Sequence, residues 1–267
     1  MSKKTRVDLH NHTTLCNHAT GSVEEYVKRA IELGIDEYGF ACHAPMNFDP
    51  KYRMKLEERT LYEKWVNETK EKYKDNIKVL LAYEIDFLNG FMLDEILNAN
   101  VDYLIGSVHF LQNKNEMWGF DNPEFIGVYK SVDIDKIWED YFDAIEAMAK
   151  TNYFQIVGHL DLIKVFKFLP KKDVRLIAKN ALKQIKKSNM ILELNPAGLR
   201  KPIEETYPSK ALLEEAFDLG INITFGSDAH SVEHVGFGYS EISSLAKELG
   251  YTKCATFYKK EMNLIEF

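Results

Sequence analysis

Eight histidines are spread through the 267 residues, and six of them fall at or just past the ends of strand-like runs: His10, His12, His43, His109, His159 and His230. His18 lies in the loop before the first expected helix, and His234 in a loop shortly after His230. The carboxylates Asp8, Glu84, Asp161 and Asp228 share these strand ends. Imidazole and carboxylate are habitual ligands of zinc, iron and manganese, so this gathering points to a metal centre. His10 and His12 set the pattern. Val7 and Leu9 alternate with polar residues, and residues two apart on an extended chain face one side, so both rings can reach one ion.

Seven histidines with Glu84 and Asp228 exceed the three protein ligands of a typical catalytic zinc. They suit two or three ions, with Glu84 able to bridge through its two oxygens. Clustered divalent ions lower the pKa of a bound water and hold phosphoryl oxygens, which fits phosphate-ester hydrolysis; the same hardware could cleave an amide. His234 reads as a loop residue. Asp8 and Asp161 read as carboxylates that orient a ligand histidine, and Asp86 as structural or exposed.

The elements that must position these groups follow from periodicity. Strands are expected at residues 6–12, 37–41, 77–82, 101–105, 154–157, 190–194 and 221–225, each leading into a candidate ligand or turn. Helices are expected between them, the first opened by a Ser22–Glu25 capping box and stopped at Gly34. Seven such alternations without a Pro/Gly-rich linker imply a parallel α/β fold in one domain, residues 1–267. A barrel collects chemistry from nearly every strand end, whereas an open sheet concentrates it at one switch point, so a barrel fits better. Residues 110–132 lack periodicity and are rich in aromatic and turn-forming residues. With the 46–53 loop they bring Phe48, Tyr52, Trp118 and Phe120, either as cavity walls or as core.

Composition narrows the function. With 45% hydrophobic and 28% charged residues the chain reads as a soluble globular protein, and a net charge of -7 argues against a broad nucleic-acid surface. Three cysteines without CxxC spacing suit a reducing cytoplasm, and no apolar run is long enough to span a bilayer. Oligomeric state leaves no trace in the sequence.

The motifs Asp-Leu-His-Asn-His (8–12), Cys-Asn-His-Ala (16–19), His-Ala-Pro (43–45), Glu84, Ser-Val-His (107–109), Gly-His-Leu-Asp (158–161) and Ser-Asp-Ala-His (227–230), in this order across nearly the whole chain, resemble the polymerase-and-histidinol-phosphatase (PHP) family. Within it, Cys16-x-His18-Ala19-x-Gly21 followed by Glu-Glu-Tyr is similar to the monofunctional histidinol-phosphate phosphatases. The resemblance implies a distorted (β/α)7 barrel of PHP type holding three divalent ions, zinc, iron or manganese. One would be held by His10, His12, Glu84 and Asp228, a second by Glu84, His109 and His159, and the third by His18, His43 and His230.

Ser107, Lys164 and Arg200 match phosphate-binding positions, with Lys164 where close relatives carry arginine, and Cys42 stands where the family often has an acidic residue. The implied activity is hydrolysis of L-histidinol phosphate in histidine biosynthesis. Glu84, Asp228 and Arg200 would be catalytic, and Asp228 is a candidate to pass a proton. The rivals are a hydrolase of another small phosphate ester or nucleotide, and a non-catalytic metal- or phosphosugar-binding protein.

Overall fold

The structure, a computed structural model, describes residues 4–113 and 116–267. Its strands in chain order begin with β1 (Val7–Asp8), β2 (Glu37–His43), β3 (Lys78–Asp86) and β4 (Tyr103–Ser107). A separate antiparallel hairpin, β5 (Phe110–Asn113) and β6 (Glu116–Gly119), follows. The series resumes with β7 (Ile156–Val157), β8 (Ile191–Leu194) and β9 (Ile223–Phe225). β1, β2, β3, β4, β7, β8 and β9 form one seven-stranded parallel sheet in that order.

The sheet curls into a nearly closed barrel, and its seam is made by backbone bonds between the first and last strands. Leu9 N–H donates to the Phe225 carbonyl (2.8 Å), Asp228 N–H to His10 (2.8 Å) and His12 N–H to Ala229 (3.0 Å).

β3 explains how the wall is built. Val79, Leu81, Tyr83 and Ile85 point outward into the helical layer, while Leu80 and Ala82 point inward, as a period of two requires. Glu84 and Asp86 continue the inward face to the strand's C-terminal end, and both are buried. The register places His43 directly beside Glu84, and Asp86 beside Ser107.

Outside the barrel lie α1 (Val23–Glu32), α2 (Arg59–Lys72), the short α3 (Asp94–Leu97), α4 (Ile134–Lys150), α5 (Val174–Lys187), α6 (Lys210–Asp218) and α7 (Tyr239–Leu249). The expected Ser22–Glu25 capping box opens α1.

Two regions differ from expectation. Residues 110–132 are not an unstructured loop: they hold the β5–β6 hairpin and a 3-10 turn over Pro123–Ser131. The chain also ends in a second hairpin, β10 (Lys253–Tyr258) with β11 (Glu261–Glu266), where the sequence suggested only a short tail. Its two-residue turn, Lys259-Lys260, takes positive φ (49° and 67°) without the Asn-Gly signature that usually marks such turns.

Candidate metal centre

The C-terminal strand ends converge on Glu84. Its Oε2 lies 3.3 Å from His10 Nε2, 3.7 Å from His12 Nε2 and 2.9 Å from His43 Nδ1. Its Oε1 lies 2.9 Å from His159 Nε2 and 3.7 Å from His109 Nε2. Asp228 Oδ1 adds a contact of 3.1 Å to His12 Nε2 and one of 3.4 Å to His230 Nδ1. The His12 and His230 rings stack 3.9 Å apart, and the His18 ring lies 4.6 Å from His230 and 5.3 Å from His43.

A cluster of this kind is costly unless something binds it. Among the described residues, His10 Nε2, both nitrogens of His12, Glu84 Oε2, His159 Nδ1 and His230 Nε2 are buried with no hydrogen-bond partner. Candidate ligand atoms lie within 4.8 Å of one another in His10–His12–Glu84, in Glu84–His109–His159 and in His12–His43–His230. Orphaned imidazole and carboxylate atoms at this spacing fit divalent ions; the second group has the members of an expected ligand set, and the first has three of the four members of another, without Asp228. The rings of His18, His43 and His230 are neighbours, but their ligand atoms do not gather as the expected trio: His43 and His230 group with His12, and the more exposed His18 with Cys16 and His230.

The electrostatics favour ionised carboxylates at the cluster and divide the histidines. Burial opposes ionisation of Glu84, but the charges of His43 and His10 outweigh it and hold the carboxyl well below its usual range. Burial likewise opposes the charged form of Asp228, and His10 and His12 overcome it. Burial and the neighbouring His43 and His12 push His18 down to about 4, so its ring is neutral and offers a lone pair. Burial lowers His12, yet the Asp228 and Glu84 carboxylates raise it to about 9, so in the absence of an ion the ring carries a proton that metal binding must displace.

Behind the rings stands a layer that the sequence reading missed in part. Glu193 receives His10 Nδ1 (2.7 Å) and the backbone N–H of His159 (2.7 Å), which fixes two ligand-bearing segments at once. Room for that carboxylate comes from Gly226, where a Cβ would sit 2.2 Å from Glu193 Oε1 and 2.6 Å from His10 Cβ. The available signal was a carboxylate on the inward face at the end of β8.

Asp86, expected to be structural or exposed, is instead buried between His109 Nδ1 and Arg53 Nη2, the latter at 2.7 Å. Asp8 and Asp161 do not contact a histidine ring. Asp8 receives Ser227 N–H, Ser227 Oγ and Asn11 Nδ2, and Asp161 receives Ser209 N–H and Lys164 Nζ.

A cavity of about 600 Å³ opens over the cluster. Arg200 lines it, with Nη2 donating to the carbonyls of Ser227 (3.0 Å) and Asp228 (2.8 Å) and Nη1 buried and unpaired. Tyr207 lines it too, its buried hydroxyl without a partner. The other two expected phosphate contacts stand behind the wall. Ser107 Oγ donates to Glu84 Oε1 (2.7 Å), and Lys164 Nζ is tied to Asp161 Oδ2 (3.1 Å), Glu205 Oε2 (2.8 Å) and the Thr206 carbonyl (2.8 Å).

The aromatics divide in the same way. Phe48 and Tyr52 line the cavity, whereas Trp118 packs on Tyr129 and Phe120 on Tyr141 inside the core. Phe48 meets Phe110 at 5.0 Å, joining the 46–53 loop to the β5–β6 hairpin. His234 sits on the rim and belongs to none of the candidate ligand groups.

A parallel barrel that delivers histidines and carboxylates from its strand ends to one shared carboxylate under an open cavity defines a metal-dependent hydrolase. The PHP domain family model matches residues 8–197 and a PHP-associated model residues 213–249, and the chain belongs to the PHP family. It is 36% identical to a probable histidinol-phosphatase of Deinococcus radiodurans, over 96% of this chain and 97% of that one. A candidate histidinol phosphatase of Listeria monocytogenes superimposes with a TM-score of 0.80 at 28% identity, covering 88% of this chain and 99% of that one. The same fold appears in a Lactococcus lactis histidinol phosphate phosphatase solved with zinc, L-histidinol and phosphate. Its TM-score is 0.79 at 22% identity, covering 97% of this chain and 99% of that one.

Proposed function

We propose that the protein is a phosphomonoesterase that converts L-histidinol phosphate to L-histidinol and phosphate as a step of histidine biosynthesis. The observation that carries the reading is the set of five histidines around Glu84 directly beneath a cavity lined by Arg200. Three divalent ions, zinc, iron or manganese, would be held by His10, His12, Glu84 and Asp228, by Glu84, His109 and His159, and by His18, His43 and His230. When bound, they supply positive charge for the phosphoryl oxygens and a water of lowered pKa.

The remaining work falls to the chain's own residues, acting as one domain over 1–267. Arg200, anchored by two carbonyls through Nη2, offers its unpaired Nη1 to a phosphoryl oxygen, and its fixed geometry favours the charge that builds in the transition state. The Tyr207 hydroxyl is a second donor. Burial and the nearby acidic groups raise its pKa, so it remains protonated. Asp228, at the cavity edge, holds a carboxylate oxygen where a proton can be passed toward the leaving alcohol. Phe48, Tyr52 and Phe110 form an apolar wall suited to an imidazole, while Asp49 and Asp121 suit the substrate's ammonium group.

The test is phosphate release from L-histidinol phosphate beside sugar phosphates and nucleotides, on protein of determined metal content. Strong preference for histidinol phosphate, lost on chelation and restored by divalent metal, is the expected result. Broad weak turnover would overturn the substrate, and no turnover in the metal-loaded protein would overturn the activity.

A further inference from the structure

The outer face of β2 carries sulfur chemistry that the proposed reaction does not use. Cys42 immediately precedes His43 but packs on the opposite, helix-facing side of the strand. Cys16 closes the single turn Thr14–Cys16, and its carbonyl holds His18 Nδ1 at 2.8 Å. Both thiols are fully buried, and Cys16 Sγ, Cys42 Sγ and a ring nitrogen of His12 all lie within 4.8 Å of one another. Cys42 Sγ also receives Thr13 N–H (3.4 Å) and the Thr13 hydroxyl (3.3 Å).

We propose that Cys16 and Cys42 form a site of reversible oxidation, closing to a disulfide with hydrogen peroxide as oxidant, and that closure loosens the candidate metal ligands nearest to the pair, His18 with its neighbours His43 and His230, and His12 beside Thr13. In the first step one thiol sulfur attacks a peroxide oxygen, the O–O bond breaks, and a sulfenic acid and one water result. The second thiol then displaces the hydroxyl from that sulfur, forming the S–S bond and releasing a second water. Two electrons leave the sulfur pair and reduce one peroxide to two waters.

The surroundings determine which partner moves. Cys42 is fixed in a strand paired with β1 and β3. Cys16 belongs to a turn of only three residues, followed by Asn17 at φ 68°. The same turn borders a second cavity of about 360 Å³, lined by Thr13, Thr14, Val23 and Trp65 among others; neither thiol lines it, so the turn must shift into this space to let peroxide reach the pair. Shortening the separation from within 4.8 Å to the ~2.05 Å of a disulfide therefore drags the turn toward the strand. His18 moves with it, through the bond to the Cys16 carbonyl, away from its places beside His43 and His230. Cys42 at the same time gives up its contacts to Thr13, the neighbour of His12.

The experiment treats the zinc-loaded protein with hydrogen peroxide, because zinc has no redox chemistry of its own to confuse the result. Expected are a fall from three titratable thiols to one, with Cys254 spared, and a Cys16–Cys42 cross-linked peptide lighter by two hydrogens. Zinc should be released into a chromogenic chelator, and all three changes should reverse with dithiothreitol. Phosphatase activity should drop about tenfold or more in the oxidised wild type and far less in C16S.

No cross-link, oxidation that stops at sulfinic acid, or Cys254 reacting as fast would overturn the proposal. C16A and C42S, each unable to form the link, provide independent checks should C16S fold poorly. Only the activity readout rests on the proposed phosphatase reading. A protein that forms the link and releases zinc without hydrolysing histidinol phosphate would sink that reading and leave this one standing.

Discussion

The two ends of the barrel are built from the same strands and obey opposite rules. Where the strands begin, the interior is filled by Leu80, Tyr103, Ile156 and Ile191 and covered by the β10–β11 hairpin. Polar groups there are paired: the Tyr103 hydroxyl donates to the Leu9 carbonyl, Thr224 Oγ1 to Ala255 (2.8 Å) and Lys260 N–H to Asp102 (2.8 Å). Where the strands end, the interior holds Glu84, Asp228 and a ring of histidines, several of them buried and unpaired. One end stabilises the fold and the other spends that stability on a site that is complete only with a ligand.

The contrast can be broken at either end. The largest expected effect is on turnover: H12A and D228A should each lower histidinol-phosphate hydrolysis by about 10^3-fold or more while shifting the urea midpoint little. Full activity in both, with metal content unchanged, would remove them from the site. At the other end, F257A deletes a buried ring packed 5.4 Å from Tyr103. It should cost about 3–5 kcal/mol in urea unfolding yet leave kcat at 25 °C near wild type; a matching loss of kcat would mean that the ends are not separable.

E193Q tests the boundary between them. It should reduce metal affinity or activity by about 10–100-fold, read by metal titration, because one carboxylate orients His10 and the His159 backbone. Unchanged affinity would make Glu193 a stability residue only.

The smallest effect belongs to a surface group outside both ends. Lys28, Lys72 and Tyr73 lower the Glu24 carboxyl from 4.5 to about 2. A depressed carboxyl stabilises the fold above its unfolded value and loses that contribution as pH falls through the folded one. E24Q should therefore shift Tm by no more than about 1 °C at neutral pH, a difference that closes as pH falls from 4.5 toward 2. A larger shift would show that exposed ion pairs matter more here than either end of the barrel suggests.

Much of this was legible in the sequence because the ends of strand-like runs can be read from their periodicity. His10, His12, Glu84, His109, His159 and His230 all lie at or just past such ends. What escaped was decided by distant parts of the chain. Lys164 sits in the right motif for a phosphate contact, but Asp161 and Glu205 draw its ammonium away from the cavity. Glu193 carries no motif of its own, and its role appears only when Gly158 and Gly226 leave space around it. The aromatics of residues 110–132 could have gone either way until the β5–β6 hairpin turned Trp118 and Phe120 inward and left Phe110 facing the cavity.

The seam of the barrel has a consequence for how the molecule breathes. The hydrogen bonds that join its first and last strands are made by Leu9, His12 and Asp228, so the backbone that closes the cylinder is also the backbone that presents the ligands. Any fluctuation that parts the seam must pull His12 away from Asp228. Deuterium uptake at these amides should thus be slow in the metal-loaded protein and quicken on chelation, while amides in the β2–β3 ladder keep their pace. Three peptide N–H groups would then serve as a built-in gauge of site integrity, readable without any substrate.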